Sequence, residues 1–324
     1  TLEQRACEMK VADFKLHTDD FGIYGQGLHR PECVWIDSDG VWASDARGGV
    51  ALVHSDKDPT LLGSGILEPN GYSRRPDGSF VVAGLLDGAL HHILSDGSTL
   101  KLLDKLGGKP LGTVNCAWAD GEDRIWVSVM TRDLPWHSAL SSKNIDGYIL
   151  RVEGNGAKVE IVADGLDLTN EVKVSPDGKY LYAAESLACR IVRFPIHSDG
   201  ALGSKETVGP KSLGRGAFPD GFAFDPFGNI WVTIVSRNGL YVIDKSGNIH
   251  IVYEDANESA VEIMAAGVDR RDGHVEQFAA CASTTGPLVL PTSLAFGGED
   301  GRTGFIGSLP MPHLTTFRLS DGLD

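Results

Sequence analysis

One pattern recurs six times along the chain and constrains its fold more than any other feature. In each copy a polar residue begins a short alternating strand, and an aromatic residue stands in the next apolar strand ten to thirteen residues later. The copies are ECVWIDSDGVWAS from Glu32, NGYSRRPDGSFVVA from Asn70, NCAWADGEDRIWVS from Asn115, NEVKVSPDGKYLYAA from Asn170, DGFAFDPFGNIWVT from Asp220 and TSLAFGGEDGRTGFIGS from Thr292. Such alternation predicts strands with one buried face.

A further hairpin follows each copy, so that every unit contains about four strands, and the units begin 38 to 72 residues apart. Four-stranded units at such a period are typical of a β-propeller. We predict an all-β protein: a six-bladed β-propeller with four-stranded antiparallel blades around a central channel. A β-sandwich with coincidental spacing is the alternative. The predicted domain spans residues 1–324, and residues 1–30 are expected to help close the ring.

Composition narrows the classes of partner. The net charge of −15 argues against nucleic acid, which needs Lys and Arg to displace counterions. No segment has the roughly 18 apolar residues of a spanning helix, so we expect no membrane partner. Five scattered cysteines without a C-x-x-C motif suggest reduced thiols. With no signal peptide visible, we predict a cytoplasmic location, although Thr1 leaves a trimmed start open. We expect a monomer or small homo-oligomer that acts on a small molecule.

The predicted ring would bring the six polar residues that begin the units close together. The first strand of every propeller blade lines the channel, so its first residue lies at the channel mouth. Glu32, Asn170 and Asp220 would meet Asn70 and Asn115 there, and carboxylate and amide oxygens suit Ca²⁺ best. Mg²⁺, Mn²⁺ or Zn²⁺ are alternatives. For Asn70 and Asp220 taken alone, a turn role is the competing interpretation, because each precedes glycine.

The same face should carry the loops between the second and third strands of each blade. The longest of these loops spans residues 131–147 in blade three. Long loops on a rigid scaffold commonly shape specificity, so Trp136 and His137 are candidate substrate contacts. Packing of these rings within their own loop is the alternative. Arg237 and His313, in shorter loops of this face, are further candidates.

The ordered motifs resemble the senescence marker protein (regucalcin)/gluconolactonase family of six-bladed propellers. They are RPECVW from Arg30, TNEVKVSPDGKYLYAAES from Thr169, PDGFAFDPFGNIWVT from Pro219 and PTSLAFGG from Pro291. The resemblance implies that Glu32, Asn170 and Asp220 hold a divalent metal and that Asp220 also serves as general base. It further implies that Asn115 contacts substrate or metal-bound water.

The chain departs from that family around the substrate. Family lactonases often read Arg-x-Asn-Asp-Gly where this chain has Thr113, Val114, Asn115, Cys116 and Ala117. Glu171 also replaces the glycine that usually follows the metal-binding Asn. The resemblance therefore implies an intact metal set inside an altered substrate shell.

The leading hypothesis is a metal-dependent hydrolase that opens a lactone with metal-activated water, with Asp220 and Asn115 as catalytic residues. Asn70, Asn115, Trp136, His137, Arg237 and His313 are the predicted substrate-binding residues. A phosphotriesterase or a metal-dependent lyase on the same scaffold is one alternative. A non-catalytic calcium-binding propeller scaffold is another.

Overall fold

The computed structural model describes residues 10–122, 124–320 and 323. Six four-stranded antiparallel sheets follow one another along the chain, one for each copy of the repeat. The first strands of neighbouring sheets contact one another in a closed ring. The prediction of a six-bladed β-propeller is therefore confirmed. We number the blades one to six in chain order.

The strands of each blade run from the channel outwards. Blade one comprises Val34–Asp37, Gly40–Asp45, Gly49–Val53 and Thr60–Leu62. Blade two comprises Pro69–Arg74, Phe80–Gly84, Ala89–Ile93 and Thr99–Leu103. Blade three comprises Val114–Ala119, Ile125–Val129, Gly147–Glu153 and Lys158–Leu166. Blade four comprises Thr169–Val174, Tyr180–Glu185, Arg190–Pro195 and Glu206–Val208. Blade five comprises Pro219–Phe224, Ile230–Ile234, Gly239–Ile243 and Ile249–Tyr253. A small hairpin, Lys105–Leu106 with Lys109–Pro110, precedes blade three.

Blade six joins the two ends of the chain. Its inner three strands are Pro291–Gly297, Thr303–Ser308 and Leu314–Arg318, and its outer strand is Gly22–Tyr24. Gly22 pairs with Thr316 and Tyr24 with Leu314 in an antiparallel register. Because the N-terminal segment supplies this strand, hydrogen bonding within blade six closes the ring.

The recurring aromatic residues pack between blades, which explains why each repeat needs one. Trp42 of blade one lies against Phe80 of blade two, with ring centroids 4.9 Å apart. Trp231 of blade five lies 5.1 Å from Phe317 of blade six. Large buried rings of this kind remove much apolar surface from water. The core is therefore a series of layers between neighbouring sheets.

The turns at the far end of the inner strands explain the Pro-Asp-Gly-like motifs. In blade five Asp225 accepts hydrogen bonds from the backbone N–H of Phe227 and Asn229. It also accepts one from the indole of Trp231 at 2.9 Å. The turn of this blade is thus organised by Asp225. Asp220 lies at the other end of the same strand, Pro219–Phe224.

Two α-helices, Glu258–Arg270 and Val275–Ala280, lie between blades five and six and were not predicted. Asn257 caps the first, its side chain accepting from the N–H of Ala260. The buried face of that helix consists of Ala260, Val261, Met264, Ala265, Gly267 and Val268. Short 3-10 helices cover Val11–Asp13, Thr18–Asp20, Trp136–Leu140, Gly154–Gly156 and Val235–Arg237.

Within the described ranges no helix has the length and apolar character needed to cross a bilayer. Four of the five cysteines, Cys33, Cys116, Cys189 and Cys281, are buried free thiols. Cys7 lies outside the described residues.

Candidate active site

The polar residues that begin the repeats lie where the inner strands lose their regular pairing. The register shifts between Pro69 and Tyr72 in blade two, and between Val114 and Cys116 in blade three. Blades four, five and six show the same irregularity, at Thr169/Val172, Pro219/Phe222 and Pro291/Leu294. Bulges release residues from the ladder and re-aim their side chains. This local geometry turns the side chains of Asn70, Asn115, Asn170 and Asp220 toward the channel mouth.

The backbone just before several inner strands adopts the left-handed region. Arg30, Glu68, Leu168 and Leu290 have φ values between 45° and 58°. Side chains of this size rarely adopt such values, which cluster at functional sites. Arg30 and Leu168 line the pocket described next, so part of this conformational cost falls at the site itself.

A single pocket collects the predicted metal and catalytic residues. Glu32, Asn70, Asn115, Asn170 and Asp220 all line it, together with Arg30 and Ser186. These polar residues form what we call the floor. The pocket contains about 560 Å³ of empty space, including its open mouth. The structure therefore brings together five residues that are distant in sequence.

Asn70 organises one side of the floor. Its Nδ2 donates to Glu32 Oε1 at 3.1 Å and to the backbone oxygen of Asn115 at 3.0 Å. Its Oδ1 accepts from the guanidinium of Arg30 at 3.0 Å. All its polar atoms have partners within the protein, so Asn70 is suited to fixing the orientation of Glu32. Asn115 donates from Nδ2 to the thioether sulfur of Met130 at 3.3 Å, which is a weak acceptor.

Ser186 organises the other side. It accepts from Nδ2 of Asn170 at 3.2 Å and donates to the backbone oxygen of Pro219 at 2.6 Å. Pro219 directly precedes Asp220, so one hydroxyl fixes both the Asn170 amide and the strand that carries Asp220. Because the NH₂ of Asn170 points to Ser186, its Oδ1 is left for the pocket.

The floor is electrostatically unfavourable without a cation. Burial raises the pKa of Glu32 from 4.5 to about 7, with a further contribution from Glu171, while Arg30 lowers it. Burial also raises the pKa of Asp220 well above its usual value, and the negative charges of Glu32 and Glu171 add to that effect. Two carboxylates in one desolvated site disfavour joint ionisation. A positive charge between them would remove that penalty.

The unpaired atoms of the floor fit a hard cation. Glu32 Oε2 and Asn170 Oδ1 are buried and lack a hydrogen-bond partner among the described residues. Buried polar atoms are normally paired, so two orphaned oxygens in one pocket call for a ligand. Across the part of the chain with assigned structure, no three His, Cys, Asp or Glu side chains cluster as metal ligands. The set here has two carboxylates, with an amide oxygen as its third member, a composition that suits Ca²⁺.

The remaining predicted residues divide into two groups. Trp136 lines the pocket and packs edge-on against Phe278, with centroids 5.5 Å apart. His137 lies against Trp136 but outside the lining. Arg237 also lies outside it, because its guanidinium is held by Glu254 and Glu258. His313 is half-buried beyond the lining, where burial lowers its pKa. Predictions of substrate contact at these three positions find no support in the pocket geometry.

Thr292, the sixth of the repeating polar residues, serves the ring and is not part of the floor. Its hydroxyl donates to the backbone oxygen of Glu32 at 2.6 Å, which ties blade six to blade one. Its position in the repeat is equivalent to those of the floor residues and therefore predicted a place at the channel mouth. Its short side chain finds a backbone acceptor before it reaches the pocket.

Several pocket residues were missed from the sequence. Ser186 and Arg30 belong to the floor, and Met264 and Phe278 come from the two helices between blades five and six. The apolar spacing at Val261, Met264, Ala265 and Val268 is a helical signal that could have revealed the first helix. No pattern marked Ser186, because its role depends on contacts across blades.

Glu171, the departure from the family pattern noted above, faces the channel below the floor. It forms an ion pair with Lys173, whose ammonium also donates to the backbone oxygens of Phe222 and Leu294. Glu171 Oε2 accepts from the N–H of Phe222 at 3.2 Å. A Cβ at Gly221 would approach the backbone oxygen of Thr292 to 2.5 Å, in addition to meeting Glu171 Oε2, so this position requires glycine. The buried pair joins blades four, five and six.

Comparison with known proteins agrees with this architecture. Residues 31–272 match the family model described as the SMP-30/Gluconolactonase/LRE-like region. The chain belongs to this family. The resemblance predicted from the sequence motifs is thereby confirmed. A 6-deoxy-6-sulfogluconolactonase from Pseudomonas putida is 24% identical over 237 residues, which cover 73% of this chain and 67% of that protein.

Solved structures of SMP-30/gluconolactonase-like proteins share the fold. A gluconolactonase from Xanthomonas campestris has a TM-score of 0.66 at 20% identity, covering 93% of this chain and 89% of that one. A calcium-binding protein, regucalcin, from Agrobacterium tumefaciens has a TM-score of 0.60 at 16% identity, covering 91% and 89%. At these identities the likeness concerns the fold alone.

Proposed function

We propose that this protein is a divalent-cation-dependent hydrolase that opens lactones, with Ca²⁺ as the preferred cation. The observation that carries the proposal is the pair of buried, unpartnered oxygens, Glu32 Oε2 and Asn170 Oδ1, in one floor with Asp220. Family membership and the lactonase names of similar proteins supply the reaction class.

Glu32, Asn170 and Asp220 would hold the cation. When bound, it would supply the positive charge that polarises an ester carbonyl and lowers the pKa of a water. Asn70 holds Glu32, and Ser186 holds Asn170, so two of these three groups are oriented before any ligand arrives. Pre-oriented ligands lose less conformational freedom on binding.

Asp220 is the group best suited to accept a proton from the attacking water. Its carboxylate is buried in the pocket, and burial and neighbouring negative charge raise its pKa. A bound cation would lower that pKa, so that Asp220 would be an ionised carboxylate able to accept a proton. Asn115 would complement it, because its Nδ2 is engaged only with the weakly accepting sulfur of Met130. That N–H can turn to the oxygen on which charge develops when the lactone carbonyl is attacked.

The proposal is tested with purified protein that is stripped by a chelator and reloaded with Ca²⁺, Mg²⁺, Mn²⁺ or Zn²⁺. Hydrolysis of γ- and δ-lactones, aryl esters and phosphotriesters is then followed. We expect lactone hydrolysis that disappears on chelation and returns with Ca²⁺. Glu32→Gln and Asp220→Asn should each lower kcat/KM at least about a hundredfold.

Asp225→Asn provides the matched control. Asp225 terminates the same inner strand as Asp220 but lies in the turn at its opposite end. The control should keep full turnover even if its melting temperature falls. Activity confined to phosphotriesters would replace the lactonase assignment. A lower melting temperature after chelation, with turnover intact, would make the cation purely structural and the proposal wrong.

A further inference from the structure

The pocket combines a polar floor with apolar walls. Apart from the indole of Trp136, every lining side chain outside the floor is aliphatic, thioether or phenyl within the described ranges. Sugar lactones carry several hydroxyl groups that need hydrogen-bond partners when buried. These walls offer almost none. The composition of the walls therefore bears directly on the kind of substrate that the site can accept.

The walls have a regular origin in the propeller. One apolar residue follows the second strand by one or two positions in five of the six blades. These residues are Leu85, Met130, Leu187, Val235 and Leu309, and all five line the pocket. Five separate loops thus place a hydrocarbon or thioether side chain at equivalent positions around the floor. We call these five residues the apolar collar.

The first of the two helices contributes one residue to the pocket wall. Met264 lines the pocket and is 1% exposed, whereas its neighbour Ile263 is 54% exposed. Met264 belongs to one hydrophobic cluster with four members of the apolar collar, Leu85, Met130, Leu187 and Val235. A space with such walls offers few hydrogen-bond partners above the floor. It favours a ligand with one polar group and an apolar body.

The charged groups of the floor leave little for substrate hydroxyls. The Arg30 guanidinium is engaged with Asn70 Oδ1, the Pro69 carbonyl and Glu68. Glu32 and Asp220 are assigned to the cation in the proposed function. Recognition of a polyhydroxylated ring would have to come from the walls, where the indole N–H of Trp136 is the one polar side-chain group among the described residues.

We propose that the substrate is a five- or six-membered lactone bearing an apolar alkyl chain, and not a sugar lactone. This inference rests on the proposed function for the reaction itself. The ester group would face Glu32, Asn170, Asp220 and Asn115, and the chain would lie against the apolar collar and Met264. Hydrolysis adds one water across the acyl–oxygen bond and gives a hydroxy acid, so no other reactant is needed.

The test compares δ-lactones with the same ring and different substituents. The Ca²⁺-loaded protein is assayed with δ-valerolactone, its methyl, propyl and pentyl derivatives, and glucono-δ-lactone. Each buried methylene should raise kcat/KM about threefold to fourfold until the pocket is filled. Glucono-δ-lactone should be no better than unsubstituted δ-valerolactone. A flat chain-length series, or a tenfold preference for glucono-δ-lactone, would overturn the inference.

Two neighbouring positions on one helix give a matched pair of variants. Met264→Gln introduces a polar group of similar size into the pocket wall, whereas Ile263→Gln places the same side chain in solvent. The first should reduce the pentyl-to-unsubstituted ratio of kcat/KM at least about fivefold, and the second should leave it unchanged. If Met264→Gln fails to fold, as judged by its melting temperature, Leu85→Gln in blade two makes the same test. Equal ratios in the wall variant and the control would contradict the inference.

A binding measurement separates this inference from the reaction. Lactams with the same ring and chain resist hydrolysis, and their dissociation constants can be measured by calorimetry. If no lactone is hydrolysed but the pentyl lactam binds at least about thirtyfold more tightly than the unsubstituted one, the proposed function fails and the apolar pocket stands. If chain length has no effect on binding, the inference is wrong whatever the reaction.

Discussion

The ammonium of Lys173 forms an ion pair with the carboxylate of Glu171 inside the channel, where both side chains are at most 10% exposed. Removing one partner of a buried pair leaves the other charge without compensation, which typically costs 3–5 kcal/mol. We therefore expect Lys173→Met to lower the free energy of unfolding by about that amount. Combining it with Glu171→Gln should recover much of the loss. Urea denaturation of both single variants and the double variant measures the coupling.

The control for this cycle is an exposed pair. Arg270 and Asp272 are more than half exposed, and such pairs contribute about 1 kcal/mol or less. Arg270→Met should therefore have little effect. Strict additivity of the Lys173 and Glu171 substitutions would show that the buried charges do not depend on each other.

Glu32 should make the stability of the cation-free protein depend on pH. Its pKa is raised from 4.5 to about 7 by burial. The protonated form is favoured in the folded state, so the contribution is fully present below pH 4.5 and is lost as the pH rises through 7. The loss corresponds to about 3 kcal/mol. Melting temperatures in chelator between pH 5 and 8.5 should fall more steeply for the wild type than for Glu32→Gln. Parallel curves would rule out this contribution.

Cation binding should show the opposite trend with pH. Because Glu32 and Asp220 both have raised pKa values, protons compete with Ca²⁺ at acidic pH. The rise in melting temperature on adding Ca²⁺ should therefore be larger at pH 8 than at pH 5.5. A pH-independent rise would indicate that the cation binds elsewhere. Glu258→Gln, which alters an exposed carboxylate, should behave like the wild type.

Ser186 should affect the cation site without contacting the reacting atoms. Its hydroxyl accepts from Asn170 and donates to the Pro219 carbonyl. Loss of a partner that orients a metal ligand typically costs 10- to 100-fold in affinity or activity. We expect Ser186→Ala to weaken Ca²⁺ binding by about tenfold, measured by calorimetry, and Ser186→Thr to restore part of it. Unchanged affinity in Ser186→Ala would show that Asn170 is oriented by other contacts.

The repeat could be recognised from sequence because strand alternation and one aromatic residue per unit are local signals. The predicted ring then placed four residues together although no two of them are close in sequence: Glu32, Asn115, Asn170 and Asp220. The same reasoning predicted Thr292 at the channel mouth, but its hydroxyl donates to the backbone oxygen of Glu32. Equivalent positions predict proximity, but the final direction of a side chain depends on which acceptor it reaches first.

Local sequence patterns did not predict the apolar collar or the helix Glu258–Arg270, which carries Met264. Leu85 lies in a turn and Val235 begins a short 3-10 helix, and an isolated hydrophobic residue at either place is unremarkable until the ring aligns it with its counterparts. The helix carrying Met264 interrupts the repeat, so the repeat pattern did not reveal it. Arg237 looked available because its acidic partners, Glu254 and Glu258, become neighbours only after blade five and the helix are in place.

The closure of the ring has a consequence for how the protein is made. Glu32 is synthesised early, yet the hydroxyl that holds its backbone oxygen belongs to Thr292, 260 residues later. The outer strand of blade six, Gly22–Tyr24, likewise can pair only after Leu314–Arg318 has been synthesised. On the ribosome, the first blade can contact blade two early, but it must remain without its other neighbour, blade six, until residues 291–318 have emerged. The hydrogen bond that holds the backbone of Glu32 would thus form only after the five other blades have been synthesised.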